Sequence, residues 1–397
     1  MAWSSSQRNV VIAAYLGWTL DAFDFFLMVF MFREIARDLH ASEQLVSTAV
    51  LVTLAMRPVG AFLFGRLADR VGRKPALAWN VLGYSLLEGA SGFAPDMTLL
   101  LVVRALFGIA MGGEWGIGSA IAMESVPPAA RGFVSGLLQT GYPTGYLLAS
   151  LATYLFYDLL GWRGMFLLGV LPGVLVFFIR RAVTESPAWA EQRTRIRKGF
   201  FETLAVHWRL ALYAIVLMTA FNFLSHGSQD GYPSFFLRGE HHFDTRLASL
   251  ITAIGNVGAI VGGLLIGTLS QRLGRRRAIV LAALAVLPLI PVWAFAATPV
   301  ALALGAFCMQ LAVQGAWGVI PAHLNELSPP DIRATFPGVV YQLGNLLAAV
   351  NLNLQLFIAH RHGDRFGIAM AAVVSLTAVL IAVLVGLGPE RREVALA

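Results

Sequence analysis

The chain has a single cysteine, Cys308, so no internal disulfide can brace it. Charge is scarce too: 13% of the 397 residues are Asp, Glu, Lys or Arg, where a soluble domain carries roughly 25%. With 57% hydrophobic residues, such a chain has the bilayer as its natural solvent. Polar stretches are short, and only 182–206, with Arg193, Arg195, Arg197 and Lys198, forms a long polar linker. No typical cleavable signal peptide opens the chain. The apolar run from Val10 to Phe32 is long enough to span and is expected to act as an uncleaved anchor. No Walker lysine and no strand-plus-glycine loop is present, which argues against nucleotide-driven transport. Nor is there a nucleophile or metal constellation that would make an enzyme, and no cofactor is expected. The formal charge of +7 fits cytoplasmic loops rich in Lys and Arg better than it fits a nucleic-acid partner.

What the chain does have is apolar runs of about 20 residues. They fall near 9–31, 44–66, 75–94, 97–123, 132–157 and 162–181, then 207–229, 245–270, 277–296, 298–324, 333–359 and 366–388. The expectation is an all-α membrane protein of twelve helices in two six-helix bundles, 1–181 and 207–397, joined by the linker 182–206. Alternating the loops places most basic residues on the side of both termini, which is therefore expected to be cytoplasmic, in the inner (plasma) membrane.

An internal repeat supports the two halves. Gly65-Arg-Leu-Ala-Asp69-Arg70-Val-Gly72-Arg73-Lys74 returns as Gly267-Thr-Leu-Ser-Gln271-Arg272-Leu-Gly274-Arg275-Arg276. At the same shift of 202 positions Glu124 and Arg131 return as Glu326 and Arg333, and Glu114-Trp115 faces Ala316-Trp317. Parallel halves of this kind suit a carrier whose site lies between them. One stretch breaks the apolar pattern. Asn222, Ser225, His226, Gln229 and Asp230 recur at spacings of three and four, so they share one helix face that lipid cannot hydrate.

At the Gly65–Lys74 segment and its second copy the chain resembles the major facilitator superfamily. The acid that the pattern expects is Asp69 in the first copy, while Gln271 takes its place in the second, which implies a weaker latch there. The stretch from Asn222 to Ser234 is similar to the signature of Jen-type lactate permeases and sialate:proton symporters, as are Gly112-Gly-Glu114-Trp115-Gly and Gln342-x-x-Asn345. This resemblance implies proton-coupled uptake of a small organic acid, most simply a short monocarboxylate such as lactate or pyruvate. Sialic acid or another larger acid is the alternative cargo, and a non-transporting nutrient sensor the alternative class. The expected partners are the acid anion, the proton and the lipid bilayer, and a complete twelve-helix carrier can work as a monomer.

Residues shared by both halves are expected to serve common machinery, and those found in one half only to serve substrate and proton. Asp21, Asp24, Arg57, Glu88, Arg104 and Glu114 occur only in the first half, and His226, Asp230, Gln342 and Asn345 only in the second. Arg104 is the preferred carboxylate anchor, because guanidinium binds carboxylate in bidentate fashion and keeps its charge; it could meet Asp24 when the outer gate is closed, and the alternative is a fixed structural pair with Asp24 or Glu88. Asn222, His226, Gln229, Gln342 and Asn345 complete the expected substrate set. Asp24, Glu114 and the His226/Asp230 pair compete for the proton, and Arg57 is read as a packing or latch residue. Asp69, Arg70, Arg73, Glu124, Arg131, Glu326 and Arg333 are the expected gate. His207, His241, His242 and His323 are expected at helix ends or loops.

Overall fold

The computed structural model of the chain describes residues 3–192 and 199–392 together with Leu396. The basic cluster Arg193, Arg195, Arg197 and Lys198 lies outside the described residues. Among the described residues all regular structure is helical. The spans are α1 (Ser5–Phe30), α2 (Glu43–Val71), α3 (Arg73–Gly92), α4 (Met97–Ser125), α5 (131–160) and α6 (162–182). The second half repeats them as α7 (Trp208–Glu240), α8 (Thr245–Leu273), α9 (Arg275–Ala294), α10 (Pro299–Leu327), α11 (Thr335–Arg361) and α12 (Phe366–Leu387).

Nine of these described helices are by themselves long and apolar enough to cross a membrane. The other three depart for visible reasons. α3 is diluted by Arg73, Lys74, Asn80 and Glu88. α5 and α6 run together except at Gly161, whose φ of 60° and ψ of 179° no helix contains. Glycine enters that region at little cost, so the chain turns back there. α6 is further bent by 41° between Leu168 and Leu171.

The ends follow the cap chemistry. α2, α4, α8 and α10 begin at Ser42, Asp96, Asp244 and Thr298, each accepting a backbone N–H from three residues on. Their partners α3 and α9 begin after Gly72 and Gly274 and are capped from a distance. Glu185 accepts the Arg73 N–H at 2.9 Å, and Glu390 accepts the Arg275 N–H at 2.7 Å. The expected span boundaries hold to within a few residues except in α7. Beyond Gln229 that span continues in wide π turns, Tyr232–Glu240, so it runs well past its expected end. The linker also contains the short helices Pro187–Gln192 and Phe200–Val206.

Within each half the closest packing is α2 on α4 and α8 on α10. A Cβ on Gly112 would stand 2.1 Å from the Arg57 carbonyl oxygen, and one on Gly262 would stand 2.1 Å from that of Leu311. Both pairs therefore pack backbone against backbone, as small residues allow in membranes. Gly262→Val should lower the thermal midpoint of the purified protein by several degrees, because overpacking costs about 1–3 kcal/mol or more. Gly386→Val, where no atom lies within 4 Å, should leave it unchanged in the same melt.

The halves join through α2 against α11 and α5 against α8. Leu63, Leu86, Val174, Phe177, Leu212, Leu250, Leu281, Leu304 and Leu376 face outward, giving a surface that hydrocarbon solvates.

Candidate transport site

The end of the bundle that carries both chain termini is closed by matched ion pairs. Arg73 holds Glu124 in bidentate fashion at 3.1 and 3.0 Å, and Arg275 holds Glu326 at 3.1 and 2.9 Å. The repeat thus appears as the same fork in each half, with both arginines buried.

The contact between halves uses the remaining acid. Asp69 accepts the backbone N–H groups of Ala334 and Thr335 at 3.0 and 3.2 Å and the Thr335 hydroxyl at 2.5 Å, which caps α11 from across the interface. Gln271 takes the matching place and accepts the Gly132 N–H at 3.2 Å on α5. A carboxylate facing a helix N-terminus is the stronger of the two caps. Arg131 lies 4.0 Å from Glu326, also across the halves, and Arg333 donates to the Leu396 carbonyl. Arg70 departs from its expected place in the gate. Its side chain is exposed at the surface and forms no ion pair among the described residues.

Above this end lies an aromatic layer. Trp115 and Trp317, which correspond in the repeat, both pack on Tyr341, at 4.7 and 5.6 Å between ring centroids. Trp18 stacks on Tyr142 at 5.9 Å and meets Tyr341 at 6.4 Å. In α1, α7 and α11 the aromatic residue lies nearer the termini than the polar ones: Trp18 before Asp21, Phe221 before His226, Tyr341 before Asn345. The polar site therefore faces the opposite end, where the Asp230 side chain is 42% exposed. The two tryptophans were visible in the repeat, but only as a mark of duplication; which ring they share is a tertiary fact.

All the ionisable groups special to the first half come together in its interior: Asp21 and Asp24 from α1, Arg57 from α2, Glu88 from α3, Arg104 and Glu114 from α4. Of the two partners open to Arg104, Asp24 is not bonded to it and Glu88 is: Arg104 donates to Glu88 at 2.5 Å, and its guanidinium lies 3.8 Å from the centre of the Phe107 ring. α3 packs directly on α4, so Glu88 reaches the arginine first. Arg57 donates to Asp21 at 3.3 Å. Neither carboxylate oxygen of Asp24 or of Glu114 has a hydrogen-bond partner among the described residues. Four acids face two arginines, and the two acids without a partner, Asp24 and Glu114, are two of the candidates for the proton; the His226/Asp230 pair, the other candidate, is hydrogen-bonded.

The second half supplies hydrogen-bonding groups instead. His226 bridges Asp230 through Nδ1 at 2.9 Å and Asn345 through Nε2 at 3.0 Å. The stripe on α7 divides into two rows. Asn222, His226 and Asp230 form one, in which Asn222 donates to the Met218 carbonyl of its own helix at 2.8 Å. Ser225 and Gln229 form the other, turned to α10: Ser225 Oγ accepts from both Gln229 and Gln314 at 3.1 Å. Gln342 is buried, with both amide atoms unpartnered among the described residues. His323 lies near the end of α10, as expected, but is buried among its last turns and does not sit at the membrane interface. Among the described residues no group of acids, histidines and cysteine has the spacing of a metal site.

Fold and site together define a multi-pass membrane transporter built of two like halves. The chain belongs to the Major Facilitator Superfamily, which it matches over residues 14–229 and 217–396. It is 27% identical over 389 residues to the Sialic acid transporter NanX of Escherichia coli (strain K12), covering 96% of this chain and 94% of that protein. It is also 27% identical over 413 residues to the Carboxylic acid transporter protein homolog of Saccharomyces cerevisiae, covering 97% of this chain and 66% of that one. These are the two kinds of carrier that the Asn222–Ser234 motif resembles. The fold is that of the proton:xylose symporter XylE, with a TM-score of 0.82 at 18% identity over 98% of this chain and 97% of that chain.

Proposed function

We propose that the protein is a proton-coupled symporter of a small organic acid, a short monocarboxylate such as lactate or pyruvate, working by alternating access. The observation that carries this reading is the buried cluster of four acids and two arginines in one half, facing a set of amides and a histidine in the other. An unpaired carboxylate away from water is far less costly neutral than charged. A region with surplus acids therefore admits a further carboxylate only together with a proton.

In this reading Asp24 and Glu114 handle the proton. His226, Asp230, Asn345, Gln342, Asn222 and Gln229 line the route of the acid from the open end. Asp69, Arg73, Glu124, Arg131, Glu326 and Arg333 hold the other end shut. The open end faces outward and both termini lie inside, in the inner membrane, as the excess of basic residues on the terminal side supports.

The test is uptake of labelled lactate into liposomes containing the purified protein, with external pH followed at the same time. Uptake should alkalinise the medium, rise with an inward proton gradient and collapse to equilibrium on adding a protonophore. Uptake without any proton movement would sink the symport reading. The relative that transports sialic acid favours a second cargo, and competition by sialic acid against lactate in the same assay separates the two.

A further inference from the structure

We propose that one water molecule, held between Glu114, Trp18 and Ser119, carries the proton from Glu114 toward the closed end. Asn325 of the other half locks that exit while the end is shut. This rests on the reading of the protein as a proton-coupled symporter and gives the proton its way out.

The site is a cavity of about 10 Å³ bordered by Ala14 and Trp18 of α1, Glu114, Gly118 and Ser119 of α4, and Leu138 of α5. One water needs roughly 10–15 Å³ and two to four polar partners. Those partners are at hand. Both oxygens of Glu114 and the indole N–H of Trp18 are buried with no hydrogen-bond partner among the described residues, and Ser119 adds its hydroxyl. The indole N–H of Trp115, by contrast, is taken by Gln139 at 3.5 Å. Glycine on either side leaves the room. A Cβ on Gly17 would stand 2.3 Å from Glu114 Oε1, and one on Gly118 would stand 3.2 Å from the same oxygen. Oε1 therefore lies toward the wall of the cavity that Gly118 forms.

The cavity leads away from the acid cluster. α4 runs from the open end to the fork at Glu124, so Ser119, five residues past Glu114, lies roughly 7 Å nearer the closed end. Ser119 Oγ donates to the Gly116 carbonyl at 3.1 Å and accepts from Asn325 Nδ2 on α10 at 3.2 Å. Asn325 donates to the Pro321 carbonyl as well, at 2.8 Å. An amide nitrogen donates but does not accept. The relay therefore stops at Ser119 as long as the halves touch there. Both residues are peculiar to their own half: Pro321 matches Ser119 in the repeat, and Met123 matches Asn325.

When the closed end opens, Asn325 departs with its half and water from that side reaches Ser119. Glu114 then gives its O–H proton to the held water, and the water gives one of its own to Ser119. Ser119 gives its hydroxyl proton to the water beyond. Glu114 is left as a carboxylate, and the held water and the serine end neutral. The charged and titratable groups facing Glu114 are Asp21 on α1, Arg57 on α2 and Tyr84 on α3. A locked exit keeps the proton from crossing before the acid does, which is what coupling requires.

The experiment is proton flux in liposomes that hold the full chain, with a pH step across the membrane, a pH-sensitive dye inside and no organic acid present. Asn325→Ala should dissipate the step about tenfold faster than wild type, the population shift that one net hydrogen bond supports. Asn325→Ala/Ser119→Ala should return to the wild-type rate, because the relay is gone. A gate that was merely loosened would still leak in the double variant, and that result overturns the proposal. So does an Asn325→Ala protein that leaks no faster than wild type. Ser119→Ala and Trp18→Phe leave Asn325 in place and give a second measurement. Each should slow net, proton-coupled uptake of lactate about tenfold more than it slows lactate/lactate exchange. Equal slowing of the two modes would mean a structural role and also overturns it. Wild-type liposomes that take up lactate without moving protons would overturn the symport reading instead, and the acid-free leak comparison tells the two failures apart.

Discussion

Glu114→Gln should abolish the accumulation of acid against its gradient while leaving acid-for-acid exchange at half or more of the wild-type rate. With one proton per carboxylate, a pH difference of one unit drives about tenfold accumulation; in the variant the ratio should fall to one. The reason is the local inventory. Glu114 is buried beside Asp21 and Arg57 with neither oxygen bonded to a described residue, so its contribution is a site for a proton rather than a contact. Glutamine keeps the shape and removes the proton site. Asp24→Asn should behave in the same way, and unchanged pH dependence of uptake in that variant would discard Asp24 as a proton group. Gly17 gives an independent handle on Glu114. A Cβ there would stand 2.3 Å from Glu114 Oε1, so Gly17→Ala should displace the carboxylate and reproduce the uncoupled behaviour without altering any ionisable group.

The second large effect is expected at the closed end. Glu326→Ala should lower the thermal midpoint of the purified protein by about 10 °C, since stranding a buried partner costs about 3–5 kcal/mol. Arg275 is fully buried and takes both oxygens of Glu326; Arg131 approaches the same acid from the other half. Arg275→Met/Glu326→Leu should recover most of the loss, because the penalty comes from an unpaired charge rather than from a missing attraction. The double variant is nevertheless expected to transport poorly, as the halves lose one of their few links at that end. A single variant that melts like wild type would mean that water already reaches this pair. The equivalent change in the first half, Glu124→Ala, strands Arg73 in the same way and should cost a similar amount, which tests whether the repeat is energetic as well as geometric.

Much of the site was legible in residue types but not in their partners. The acids and arginines peculiar to the first half were identifiable because the second half, 202 positions on, lacks them. That comparison says which residues are special without saying which of them meet. Asp24 and Arg104 lie at similar depths on cavity helices, but Glu88 is an equally open partner for the arginine. The fold gives Arg104 to Glu88, because α3 packs directly on α4. Arg57 reads from sequence as a packing or latch residue, and the fold buries it and gives it Asp21 as its partner, a pairing that spacing along the chain does not reveal. Arg70 looked like part of the latch because it sits within the repeated motif, and the helix turns it outward. Glu185 and Glu390 carried no signal at all: each caps a helix more than a hundred residues away.

The sequence by itself determined the solvent, the count of spans and the likeness of the two halves, because hydrophobic length and internal repetition are properties of a string. It also determined which side of α7 is polar, since a helix places every third and fourth residue together. Which acid each arginine holds, which two carboxylates are left without one, and that the bundle is shut at the end bearing its termini were decided only by tertiary structure. Such choices depend on angstrom differences between side chains from separate helices, and spacing along a single chain does not contain those distances.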